Sequence, residues 1–127
     1  MIRDDEDVTE VDTSAITDMR FMFSGASSFN QDLSGWNVNS VTDMGYMFDG
    51  ASALNQDLSG WDVSSVTSMG SMFMGAEAFN GDISSWDVGS ATYMRGMFGN
   101  ASSFDQDLSS WDVSNVTAHD NFTCTGC

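Results

Sequence analysis

The sequence predicts an α/β repeat fold, a right-handed solenoid of about four to five 25-residue coils, each a short parallel strand followed by a short helix. Three observations predict it. Trp36, Trp61, Trp86 and Trp111 recur at intervals of 25 residues. The same apolar motif surrounds each of them. A Thr, a Met, a Met-Phe pair and a Gly or Asn then follow in fixed order.

The period comes first, because the chain reads as units before it reads as elements. WNVNSVTDMGYMFDGASALNQDLSG and WDVSSVTSMGSMFMGAEAFNGDISS agree at 15 of 25 positions. A partial unit with Val11 in the Trp column precedes them, and another starts at Trp111. Within each unit Leu33/Trp36/Val38, Leu58/Trp61/Val63, Ile83/Trp86/Val88 and Leu108/Trp111/Val113 have the L-x-x-L-x-L spacing of the strand in leucine-rich repeats. A leucine-rich-repeat-like strand near residues 60–63 and its equivalents is expected, with the tryptophans stacked about 5 Å apart.

Thr17, Thr42, Thr67, Thr92 and Thr117 then stand as helix N-caps, and Met44, Met47 and Phe48 have the i, i+3, i+4 spacing of one helical face. Gly25, Gly50, Gly75 and Asn100 form the column that would end a helix of about two turns, where a left-handed residue is needed. A loop carries Phe29, Leu54, Phe79 or Phe104 inward, followed by Asn30, Asn55, Asn80 or Asp105 in a turn. Strand-to-strand crossovers of this kind are right-handed in nearly all cases.

The repeats span 11–117. Residues 1–10 carry five acidic groups and read as a polar cap or a tail, and 118–127 read as a C-terminal cap. His119 takes a Met position there and reads as a cap residue rather than a catalyst. Cys124 and Cys127 have three readings: a local disulfide, an incidental pair at a truncation point, or half of an intermolecular site. The first two sit better outside a reducing cytosol.

Nineteen acidic residues against three basic ones, a net charge of −16, argue against nucleic acid and anionic lipid as partners. No apolar run is long enough for a membrane helix. The single His, the lack of a nucleophile motif or phosphate loop, and the repetition of identical groups argue against an enzyme.

Two acidic columns are candidate sites. Asp12, Asn37, Asp62, Asp87 and Asp112 lie between the inward Trp and Val, on the outer strand face, and are the candidate binding face. Asp32, Asp57, Asp82 and Asp107 lie just before the motif and are candidate calcium ligands. Three explanations stay open for these columns: hydrogen bonding to turn amides, calcium between coils, or recognition of a basic or polar partner. No other cofactor is expected.

The string MFSGASSFNQDLSGWNVNSVTDMGYMF resembles the BspA-like surface proteins, in their 25-residue repeat type also called DUF285 or the Mycoplasma lipoprotein-associated repeat. The likeness covers about residues 11–117. It implies a leucine-rich-repeat-like fold, a place at or outside the cell surface, and a role in adhesion and protein binding. The function expected from residues and resemblance together is a non-enzymatic scaffold binding a protein or other extracellular ligand through the acidic face. The alternative is a structural or assembly module, self-associating end to end or forming part of a longer array, with calcium as a stabiliser.

Overall fold

Ile2 and residues 6–117 are described in a computed structural model of the chain. Each repeat makes one coil lying on the next. Counted from the aspartate that opens each, the coils run 7–31, 32–56, 57–81, 82–106 and from 107 onward.

The expected strand-plus-helix coil is not what forms. Among the described residues there is no helix, and parallel pairing is confined to the single-residue bridges Asp18↔Asp43, Asp43↔Ser68 and Ser68↔Tyr93. The strand expected near 60–63 is lost because its amides are taken locally. Asp57 Oδ1 accepts the Ser59 N–H at 2.9 Å, and the Trp61 N–H closes on the Leu58 carbonyl at 3.1 Å. Asp62 Oδ1 then accepts the Ser64 N–H at 3.0 Å, and the Val66 N–H closes on the Val63 carbonyl at 3.0 Å. A short acceptor two residues before an amide competes with any ladder, and here it wins.

The helix fails at Tyr46, whose φ of +57° is left-handed where a helix needs about −63°. The N–H groups of Met44, Tyr46, Phe48 and Gly50 point out of their own coil, to the carbonyls of Ser68, Gly70, Met72 and Met74 at 2.7–3.0 Å. The alternate amides of Met47, Asp49 and Ala51 close turns on Met44, Tyr46 and Phe48 at 3.0–3.2 Å. Every second amide therefore ties one coil to the next, and the others shape the coil itself.

The threonines are ladder rungs rather than N-caps. Thr42, Thr67, Thr92 and Thr117 each direct both the backbone N–H and Oγ1 to the carbonyl of the Thr one coil earlier. Gly25, Gly50, Gly75 and Asn100 are left-handed, with φ between +56° and +75°, but they end a run of turns.

The apolar columns fill the space enclosed by the coils. Phe23, Phe48, Phe73 and Phe98 stack at 5.4, 5.5 and 5.7 Å, and Trp61, Trp86 and Trp111 at 6.4 Å with planes within 5°. The Trp spacing exceeds the expected 5 Å because parallel rings are displaced sideways. Each fully buried Phe side chain contributes roughly 1.5–3 kcal/mol.

Residues 6–10 belong to the stack. Val8 is buried in the Leu33 column, and Asp7 accepts the Thr9 N–H as Asp32 accepts that of Ser34. Asp-Val-Thr at 7–9 is thus a diverged copy of Asp-Leu-Ser at 32–34. His119, Cys124, Cys127 and the expected C-terminal cap lie outside the described residues.

Candidate functional site

The two acidic columns occupy equivalent local geometry. Asp12, Asp62, Asp87 and Asp112 present Oδ1 to the amide two residues on, at 2.9–3.0 Å, and Asn37 does the same to Asn39 at 2.9 Å. Asp32, Asp57, Asp82 and Asp107 do so to Ser34, Ser59, Ser84 and Ser109 at 2.9–3.0 Å. All nine are exposed. Hydrogen bonds from the serine two residues on hold the carboxyls of Asp12, Asp32, Asp57, Asp62, Asp82, Asp107 and Asp112 below their usual range, because the donors favour the charged form.

The charge of Asp57 pushes the other way on Asp32 and Asp82, so neighbouring rungs sense each other. Among the described residues no group of three or more His, Cys, Asp or Glu gathers where it could hold a metal ion. The acidic columns are thus turn-forming first, each keeping a second oxygen for solvent or a partner.

A different part of the coil carries the exposed aromatic rings. Phe21 and Tyr46 occupy one column, 48% and 41% exposed, with rings stacked at 4.9 Å and 7°. Both are left-handed, at φ +60° and +57°. Ser71 and Gly96 continue the column at +54° and +67°. A bulky residue held there costs roughly 1–2 kcal/mol relative to a right-handed conformation, a penalty that Gly escapes. Stability alone would place Gly at every rung, as at Gly96, so the two rings are carried against a local preference.

Their surroundings are also distinct. Arg20 and Arg95 share one column with Gly45 and Gly70 and, together with Arg3, make up the basic residues of the chain. Arg20 donates to Asp18 at 2.9–3.2 Å and lies 3.7 Å from Asp43. The Tyr93 ring, 41% exposed, occupies the place that a Cβ at Gly70 would take. Aromatic and arginine side chains are enriched at protein interfaces, and here they cluster on one strip of an otherwise acidic surface.

A family model described as "Mycoplasma protein of unknown function, DUF285" matches residues 2–91 and again 38–124. The chain belongs to the DUF285 family. The family model extends over residues 2–10 as well, in line with the first coil starting at Asp7. No curated protein and no solved structure matches the chain.

In this DUF285 chain the sequence signal for the acidic turns is Asp-x-Ser, whereas the Asn column expected in a turn has a further part, and the exposed ring column is not among the expected sites. The Asn30, Asn55 and Asn80 side chains are a ladder, each Oδ1 accepting the backbone N–H of the residue one coil on, at 2.8–3.0 Å. The strip at Phe21 and Tyr46 had a signal in the column Phe, Tyr, Ser, Gly, the least uniform in the Met-Phe segment. The Met19, Met22 and Phe23 columns around it are constant, whereas this column varies in size and is exposed at Phe21 and Tyr46. No helix among the described residues is long and apolar enough to cross a membrane.

Proposed function

We propose that this DUF285 chain is a non-enzymatic scaffold that binds protein partners at or outside the cell surface. One observation carries the reading: the stacked, exposed Phe21 and Tyr46 rings stand on left-handed backbone that Gly would hold more cheaply. Residues kept in costly conformations at an exposed position point to function rather than to stability. Exposed rings flanked by arginine are the side chains that dominate binding energy when buried by a partner.

The coil architecture supports such a role. Alternate amides lock each coil to the next, so the strip is presented on a rigid frame that loses little entropy on binding. The Asp12, Asn37, Asp62, Asp87 and Asp112 column and the Asp32, Asp57, Asp82 and Asp107 column supply a negative field that draws basic partners in. Placement at the cell surface rests on the resemblance to BspA-like proteins alone.

The test is capture from an array of purified extracellular proteins by immobilised wild-type chain and by the double variant Phe21→Gly/Tyr46→Gly. Gly relieves the left-handed strain while removing one ring stack worth about 0.5–1.5 kcal/mol, so the variant should melt within a few degrees of wild type. Loss of wild-type capture in that folded variant is the expected result. Undiminished capture of the same proteins would sink the assignment of this strip.

A further inference from the structure

A second column clamps the asparagine ladder, and the clamp is missing at one rung. Gln56 Nε2 donates to the Asn30 carbonyl and Oδ1 at 2.7 and 2.8 Å, and Gln106 Nε2 donates to the same two atoms of Asn80 at 3.0 Å. Between them in the column stands Gly81, so Asn55 receives no such donor among the described residues. The backbone there has settled against the second coil. A Cβ added at Gly81 would lie 2.9 Å from the Gln56 carbonyl oxygen and 2.9 Å from the Phe79 ring.

The exchange of Gln for Gly creates the one Asn-Gly step in the sequence. Gly carries no Cβ, so nothing shields the Asn80 side-chain carbon from the amide nitrogen that follows it. Asn80 is exposed, and no carbonyl accepts the Gly81 N–H among the described residues. The Asp105 N–H and Gln106 Nε2 both donate to Asn80 Oδ1, at 2.9 and 3.0 Å. Donors on that oxygen stabilise the negative charge that develops there when a nucleophile adds to Cγ. The chain carries its own comparisons. Asn30 and Asn55 are exposed in the same column but are followed by Gln, and the Gly50 N–H that follows Asp49 is held by the Met74 carbonyl at 2.7 Å.

We infer that Asn80 is a self-modification site, where the Gly81 amide nitrogen closes a succinimide ring on Asn80 Cγ and water opens it. The Gly81 nitrogen gives its proton to solvent and bonds to Cγ; the Cγ–Nδ2 bond breaks, and the amide nitrogen takes up a proton and leaves as ammonia. Water then adds to one of the two ring carbonyls. Cleavage of the new Cγ–N bond gives aspartate, and cleavage of the original peptide C–N bond gives isoaspartate. Water is the only co-reactant, and nothing is oxidised or reduced. Aspartate keeps an oxygen for the Asp105 and Gln106 donors and adds a charge beside Asp105. Isoaspartate lengthens the main chain by a methylene where Gly81 is wedged against Gln56, and turns the carbonyl that Gln106 holds into a free carboxylate. The step is a one-way loosening of the seams on either side of the third coil.

The experiment incubates the whole chain at mildly alkaline pH, folded and in urea, and follows each asparagine by peptide mass spectrometry with an isoaspartate-specific methylation assay. The expected result is acid and isoaspartyl product at Asn80 in the folded chain, within about tenfold of the rate in urea, with Asn30 and Asn55 unchanged over the same interval. Gly81→Gln should slow the reaction at Asn80 at least about tenfold. Gly81→Ala serves as a second variant with the same expected direction and a smaller side chain. In the folded wild type, isoaspartyl product should lower the melting temperature, whereas Asn80→Asp should melt close to wild type. Conversion of Asn80 in urea with none in the folded chain would overturn the inference, as would equal rates at Asn30, Asn55 and Asn80.

Discussion

The Trp86 indole Nε1 donates to the Leu58 carbonyl, 28 residues earlier, at 2.9 Å inside the core. The same bond joins Trp36 to Val8, Trp61 to Leu33 and Trp111 to Ile83 at 2.9–3.0 Å. A ring that fills one coil thus satisfies a carbonyl of the coil before, so the column the repeat is most easily recognised by is also a polar fastener between coils.

Trp86→Phe keeps an aromatic ring and removes the donor. The Leu58 carbonyl is then left in the core without its partner, which costs about 1–3 kcal/mol, with added loss from the smaller ring. Urea denaturation should show a lower midpoint with a similar slope. A midpoint equal to wild type would show that the indole bond carries no net stability.

Gly50 stands at φ +74° with its neighbour Gly25 no closer than 3.7 Å to an added Cβ, so conformation and not space limits the position. Gly50→Ala should cost about 1–2 kcal/mol, and Gly50→Asn distinctly less, since Asn100 already holds the equivalent place. Thermal melts of the two variants check the order. Ala melting above Asn would contradict it.

The acidic turns fix the sign of the pH dependence. Asp7, Asp12, Asp18, Asp32, Asp57, Asp62, Asp82, Asp107 and Asp112 have folded-state pKa values below the ordinary 3.8, so their stabilisation is present above that value and is lost as pH falls through the folded values. Asp49 is raised by burial and opposes them, the one carboxyl shifted that way among the described residues. At high salt, where long-range repulsion is screened, melting temperature should drop below about pH 4. Asp62→Asn should keep the turn, as Asn37 does, whereas Asp62→Ala should open it.

Ionic strength gives a separate prediction. With a net charge of −16, sodium chloride should raise the melting temperature at pH 7 by screening. Calcium at matched ionic strength should add nothing, since no group of three potential ligands gathers among the described residues. A calcium-specific rise would favour bridging by Asp32, Asp57, Asp82 and Asp107.

Much of this was legible in the residues. The period, the inward set around Leu33, Trp36 and Val38, and the left-handed column at Gly50 all follow from side-chain size and glycine's freedom. The conformation between them did not. Met44, Met47 and Phe48 have helical spacing and are all fully buried, yet tight turns bring the same three inward. Inward spacing therefore cannot distinguish a helix from a chain of turns when a neighbour 25 residues away offers carbonyls to alternate amides. Tyr46, a β-branch-free aromatic with no intrinsic wish to be left-handed, gave no warning of its φ. The acidic columns stand out in the sequence by repetition, whereas the exposed rings of Phe21 and Tyr46 stand in a column that does not repeat.

The central claim is that alternate amides of residues 44–50 bond to the next coil and not to their own. Long-range HNCO spectra, which detect scalar coupling across a hydrogen bond, test it directly. Couplings from the amides of Tyr46 and Phe48 to the carbonyls of Gly70 and Met72 are the predicted result. A coupling from the Phe48 amide to the Met44 carbonyl, four residues back as in a helix, would contradict the account.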